Sequence, residues 1–179
     1  MTFLEDYLVF VDEALNGMIA MVEDLGDDLA NRRPDVEGTN TPYAILTHCL
    51  GVMEYWAGRV VAGRSIDRDR PSEFLATGAV ADLVARARQA RTQLAADLVA
   101  VDLAAPPRLP PRTSHAKGRS QAGALLHLFE ELAQHRGQME GCRDVLTAGW
   151  AVTVAQANAD ATVGNTRAGS AVPAREELP

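Results

Sequence analysis

The sequence predicts an all-α protein organised as a four-helix bundle, and three observations carry that prediction. Apolar residues recur at three- and four-residue steps through four long segments. No segment carries the strict alternation of a half-buried strand. Polar, proline- and glycine-bearing stretches separate the four segments. Long helices without strands bury their apolar stripes against one another, as a bundle does.

The first helix is expected from Thr2 to about Leu25, with Phe3, Tyr7, Phe10, Val11, Ala14, Met18, Val22 and Leu25 as its stripe. Gly26 is placed to end it, because glycine tolerates the left-handed conformation of a helix terminus. Residues 27–40 read as a loop. Thr39 or Thr41 can cap the second helix, with Pro42 in its first turn, where a missing N–H costs little. That helix is expected to reach about Gly63. Residues 64–72 read as a charged loop with Pro71 as a stop, and the third helix as running from about Thr77 to Leu103. Its polar face carries Arg86, Arg88, Arg91 and Asp97. Pro106, Pro107, Pro110 and Pro111 then make residues 104–119 an extended arm, since proline cannot continue a helix. The fourth helix is expected from Ser120 to about Ala148 or Gly149. Residues 1–150 would form the bundle. Residues 151–179, rich in Ala, Thr, Gly and Asn without a sustained period, would form a flexible, mostly disordered tail.

Composition narrows the function classes. A chain of 179 residues with 47% apolar and 23% charged residues is an ordinary globular domain that needs no disulfide staples. Two cysteines far apart, Cys49 and Cys142, exclude a Cys-only zinc site. The net charge of -7 argues against nucleic-acid binding through phosphate neutralisation. No apolar run is long enough to span a bilayer, and residues 1–7 carry no positive cluster. The expected compartment is the cytoplasm, where both thiols stay reduced.

The chemistry concentrates in a few residues. Only four histidines occur, and His48, His127 and His135 fall on expected helices. The fourth helix reads His127-Leu-Phe-Glu-Glu131-Leu-Ala-Gln-His135. His127, Glu131 and His135 are each four residues apart and so project from one face, about one turn apart. Glu131 and His135 can ligate one ion, and His48, in mid-helix among apolar residues, is the natural third ligand. Two histidines and one glutamate make an open site of the catalytic type. His127 has two functional readings, a fourth ligand or a proton relay, beside a structural one. All these residues also admit a structural reading, with His48 as a hydrogen-bonded core histidine.

The stretch Gly38-Thr-Asn-Thr-Pro-Tyr-Ala-Ile-Leu-Thr-His48, continuing to Trp56-Ala-Gly, resembles helix two of the DinB-like superfamily of four-helix-bundle metalloenzymes. His135-Arg136-Gly137-Gln138 is similar to the phrase near the end of that family's last bundle helix. Glu131 stands where many members have histidine, which resembles the mycothiol-dependent branch. That branch includes the mycothiol S-transferases and the N-terminal domain of maleylpyruvate isomerase. The resemblance covers about residues 3–148 and implies zinc held by His48, Glu131 and His135, with mycothiol as cosubstrate. The isomerase carries a further C-terminal domain, whereas residues 151–179 here are weakly patterned, so a stand-alone S-transferase is the expected relative. One Lys among 17 cations, with abundant Ala, fits a high-GC actinobacterial source, and such organisms make mycothiol.

The expected function is therefore a zinc-dependent thiol S-transferase that activates mycothiol for attack on an electrophile. A metal-dependent hydrolase on the same bundle and a non-enzymatic stress-response or interaction module are the alternatives. Around the site, Tyr43, Trp56 and Arg59 are candidate substrate contacts. Arg59 lies eleven residues after His48, about three α-helical turns or 16 Å along the same face. Arg108, Arg112, His115, Lys117 and Arg119 make the arm cationic, able to cover the site or simply be solvated. Cys49 and Cys142 read as small core residues rather than nucleophiles. Two copies pairing through an apolar helix face would suit such a bundle.

Overall fold

The computed structural model describes residues 2–112 and 119–168, with side chains as far as residue 148. It is helical, with no strand among the described residues. Helix α1 spans Phe3–Ala30 and α2 spans Pro42–Met53, which continues as a π-helical segment, Glu54–Val61. A single helical turn, α3, covers Arg70–Glu73; α4 covers Val80–Asp97 and α5 covers Gln121–Ala168. The chain divides into two compact units, Met1–Arg143 and Asp144–Pro179. The bundle of α1, α2 with its π-helical extension, α4 and the first part of α5 is the former.

The helix starts follow local chemistry. Thr2 caps α1 through a reciprocal box: its hydroxyl accepts from the Glu5 N–H, and the Thr2 N–H donates to Glu5 Oε2 at 2.6 Å. Thr41, not Thr39, caps α2, accepting from the Ala44 N–H at 3.0 Å, with Pro42 beginning the helix. Thr39 instead donates its hydroxyl to the Val36 carbonyl.

Four expected boundaries are corrected. Gly26 does break the helix, at φ 63° and ψ 178°, but a further turn follows to Ala30. That turn aims Asp27 and Asn31 at the start of α4. Asp27 Oδ1 accepts from the Val80 N–H at 2.7 Å, and Asn31 exchanges two hydrogen bonds with the Gly78 backbone. Ala79 precedes α4 without a capping side chain, so α1 supplies the cap. Pro71 begins the turn α3 rather than stopping a helix, because a first-turn proline sacrifices no hydrogen bond. Helix α4 ends at Asp97, short of the expected Leu103. Helix α5 runs past Gly149 to Ala168, so the expected end of the last helix moves, while residues 169–179 of the expected tail lie outside the described residues.

The core of the bundle unit draws on all four long helices. Val11, Met18 and Val22 of α1 meet Ile45 and Leu46 of α2, Leu83 and Leu94 of α4, and Leu125, Leu128, Leu132 and Met139 of α5. Two residues assigned to the polar face of the third helix are paired. Asp97 is buried and accepts both Arg64 Nε and Nη2, at 2.9 and 3.0 Å. Arg91 forms a fork with Asp12 of α1. Beyond the π-helical segment the chain returns along it. The Arg108 N–H donates to the Val60 carbonyl, and the Arg112 N–H to the Tyr55 hydroxyl.

Gly26→Ala isolates the backbone cost of the α1 kink, because a Cβ there would meet nothing within 4 Å. The variant is expected to lose about 1–3 kcal/mol of stability, since that φ/ψ region is essentially glycine-only. A urea titration should register this as a lower midpoint at unchanged slope.

Candidate metal centre

Three of the four histidines and one glutamate meet where α2 crosses α5. His48, Glu131 and His135 each offer a ligand atom, and these atoms lie within 4.8 Å of one another. Glu131 Oε2 sits 3.6 Å from His135 Nε2 and 3.9 Å from His48 Nε2. The other carboxylate oxygen, Oε1, sits 3.5 Å from His127 Nε2. Helix α5 supplies His127, Glu131 and His135 on one face because they are spaced by four. Helix α2 supplies His48 from its middle, at 1% exposure, while His127, Glu131 and His135 are 12, 26 and 20% exposed. The centre is therefore closed on the α2 side and open on the α5 side.

Each imidazole is held from behind. His48 Nδ1 lies 2.7 Å from Glu73 Oε2, His127 Nδ1 lies 2.8 Å from Glu130 Oε2, and His135 Nδ1 lies 2.9 Å from Gln138 Oε1. The nearest partner of each Nδ1 is an oxygen that accepts, so each Nδ1 donates its proton there; at His48 the donor Arg68 Nη2 also lies near Nδ1, but farther off, at 3.3 Å. When neutral, each ring presents its Nε2 lone pair toward Glu131. Acceptors facing acceptors cannot hydrogen-bond with one another. His48 Nε2 is buried without a hydrogen-bond partner, which is costly unless a cation satisfies it. The donor set, the outward hydrogen bonds and the orphaned nitrogen together fit a divalent metal.

The titration behaviour expresses the same convergence. Burial alone would lower His48, but the Glu131 and Glu73 carboxylates outweigh it and raise it above its ordinary value. The His135 and His48 imidazoles hold Glu131 well below the usual carboxylate range, against the opposing effect of burial. In Glu73, burial is likewise overcome by His48 and Arg68, and its carboxyl is lowered. The site favours positive charge, brought by protons or by a metal ion.

Aromatic groups frame the imidazoles. Phe74, just after α3, stacks on His48 with centroids 4.5 Å apart, and His135 meets His48 edge-on at 4.8 Å. Trp56 is buried and meets His127 edge-on at 4.6 Å. Trp56 thus belongs both to the core and to the edge of the centre. Tyr43 is buried with its hydroxyl against Gly78, and Arg59 donates to the Pro110 carbonyl at 2.7 Å. The shared-face spacing of Arg59 with His48 assumed α-helical turns throughout. The π-helical segment begins at Glu54 and rotates each residue by less than an α-helix does, so that phase is lost. Of the cationic arm, Arg112 lies 3.8 Å from Asp67, Arg108 donates to the Ala100 carbonyl, and His115 and Lys117 lie outside the described residues. Both cysteines are free and buried, and burial pushes both thiols up, which suits core residues and not nucleophiles.

Sequence reasoning missed the residues behind the imidazoles. Glu130 is turned about 100° around the helix from Glu131, yet its side chain reaches His127 one turn back. Gln138 follows His135 by the same three-residue step. Both partnerships were legible as i,i+3 pairs. Arg68 and Glu73 were not: Arg68 lies in the stretch read as a charged loop, and Glu73 falls between that loop and the expected third helix. The one signal was Gly51, a glycine in mid-helix: a Cβ there would come within 2.1 Å of Glu73 Oε1.

A family model described as mycothiol-S-transferase matches residues 6–148, which includes every residue of the centre. The chain belongs to that family. Its name implies a transferase that uses mycothiol, in keeping with the resemblance of the second and last bundle helices. No curated protein and no solved structure matches the chain. No described helix is long and apolar enough to cross a membrane.

The imidazoles must be neutral to ligate, so protons compete with metal. The His48 value lies above its ordinary 6.5, so competition begins at or above that pH. Zinc affinity, measured by chelator competition from about pH 8 to about pH 5, is expected to fall steadily with decreasing pH. His135→Ala should lose the stoichiometric metal altogether.

Proposed function

We propose that this member of the mycothiol S-transferase family is a zinc-dependent enzyme that joins mycothiol, through its sulfur, to an electrophilic small molecule. The observation that carries the reading is the meeting of three Nδ1-tethered imidazoles at one glutamate, with the buried His48 Nε2 unsatisfied. His48, Glu131 and His135 are the ligands in this reading. When bound, the metal supplies the positive charge that favours a thiolate over a thiol.

The remaining chemistry falls to the chain itself. His127 has an Nε2 lone pair at the open side and accepts the thiol proton. Glu130 holds that ring in position through Nδ1. Glu131 Oε1, 3.5 Å from His127 Nε2, stabilises the imidazolium that results. The sulfur then forms a bond to the electrophilic carbon as the leaving group departs with its electron pair. Trp56 and Phe74 exclude water from the ring faces and edges they cover. Trp56, whose ring meets the His127 edge, is the candidate for a contact with the body of the substrates.

The test is consumption of an alkyl halide by the zinc-loaded protein with and without mycothiol. Consumption is expected only with thiol and metal together, and thiol-independent cleavage of an ester would instead favour the hydrolase. His127→Gln is expected to lower kcat by about a hundredfold or more with metal content unchanged. Loss of metal in that variant would make His127 a fourth ligand.

A further inference from the structure

His48 differs from the other two imidazoles in what holds it. His127 and His135 are tethered by residues three positions along their own helix, and both partners are partly open to solvent. His48 is tethered by Glu73, which is 8% exposed and comes from α3, 25 residues away. Glu73 is itself gripped by Arg68, whose Nε and Nη2 donate to its two oxygens at 2.6 and 2.8 Å. A buried carboxylate held by an arginine fork is fixed in position as well as in charge. Phe74, the next residue, stacks on the His48 ring and limits its rotation.

The backbone of α2 is adapted to this arrangement. Gly51 lies one turn after His48, and a Cβ there would come within 2.1 Å of Glu73 Oε1 and 3.1 Å of Arg68 Nε. A glycine in a helix interior costs about 1 kcal/mol relative to alanine. Here it opens the surface of α2 so that the carboxylate can reach Nδ1. The outer side of the pair faces a cleft of about 690 Å³ between α2, residues 64–73 and α4, which the three ligands do not line. The Arg68–Glu73–His48 chain thus runs from that cleft to the centre.

We propose that Glu73 is the positioning residue of the metal centre: gripped by Arg68 and admitted by Gly51, it fixes His48 as the Nδ1–H tautomer with Nε2 aimed at Glu131 and His135. Glu73 acts through His48 and touches no ligand atom of the centre. The inference rests on His48 being a metal ligand, and its test separates the two claims. Outer carboxylate partners of ligating histidines commonly contribute ten- to a hundredfold in metal affinity.

Two variants and two measurements test it. Glu73→Gln keeps the shape and removes the charge. Gly51→Ala keeps every ligand and charge but displaces Glu73; the clash is with the ends of flexible side chains, so the variant should fold. The first measurement is the nitrogen-15 NMR signature of His48 in metal-free protein, above the pH range in which imidazoles titrate. The second is zinc affinity by chelator competition. Wild type should show protonated Nδ1 and bare Nε2 at His48. Gly51→Ala should shift the ring toward mixed tautomers, and both variants should lose ten- to a hundredfold in zinc affinity at unchanged stoichiometry. Val22→Ala, a core change on α1, should alter stability and neither readout. Unchanged His48 shifts in Gly51→Ala together with unchanged zinc affinity in both variants would overturn the role of Glu73. A wild type that takes up no zinc would overturn the metal reading, while the tautomer signature would still decide the role of Glu73.

Discussion

The convergence of three imidazole nitrogens on one glutamate is the constraint around which the bundle is arranged. Four acceptors facing one another in a partly dry space are unfavourable alone, and each must be pinned or the rings would rotate to find donors. Glu73, Glu130 and Gln138 pin them by taking the Nδ1 protons. What results is a preformed demand for a cation. The raised His48, drawn up against its burial by the Glu131 and Glu73 carboxylates, is that demand read as proton affinity.

Burial is graded across the centre, and the gradient has a cause. Helix α2 is covered almost all round from Pro42 to Leu50, so His48 has no access to water. Helix α5 keeps one face toward solvent, so Glu131 and His135 are reachable. On that side, too, His127 stands with its ring edge against Trp56.

The segments around the bundle serve it through hydrogen bonds as well as apolar packing. The turn after the Gly26 kink caps α4 from outside, through Asp27 and Asn31. The return of the chain at Arg108 and Arg112 satisfies backbone and side-chain groups of the π-helical segment. The turn at α3 carries Glu73 and Phe74 to His48. None of the three is long enough to have its own apolar period, and each is placed by what it bonds.

By itself, the sequence determined the four long helices, the start of the second near Thr41 and Pro42, and the face that joins Glu131 to His135. These follow from spacings of three and four along one chain segment, which an α-helix converts directly into a shared face. His48 was legible as a candidate ligand or a hydrogen-bonded core residue, because a histidine in an apolar stripe needs a partner. Only the tertiary structure decided which carboxylate stands behind His48, where the π-helical segment breaks the phase between His48 and Arg59, and that Pro71 opens a turn. Those outcomes depend on residues far apart in the chain. Packing sets their distance, and no local period records it; Gly51 is the one mark that the close approach of Glu73 leaves in the sequence of α2.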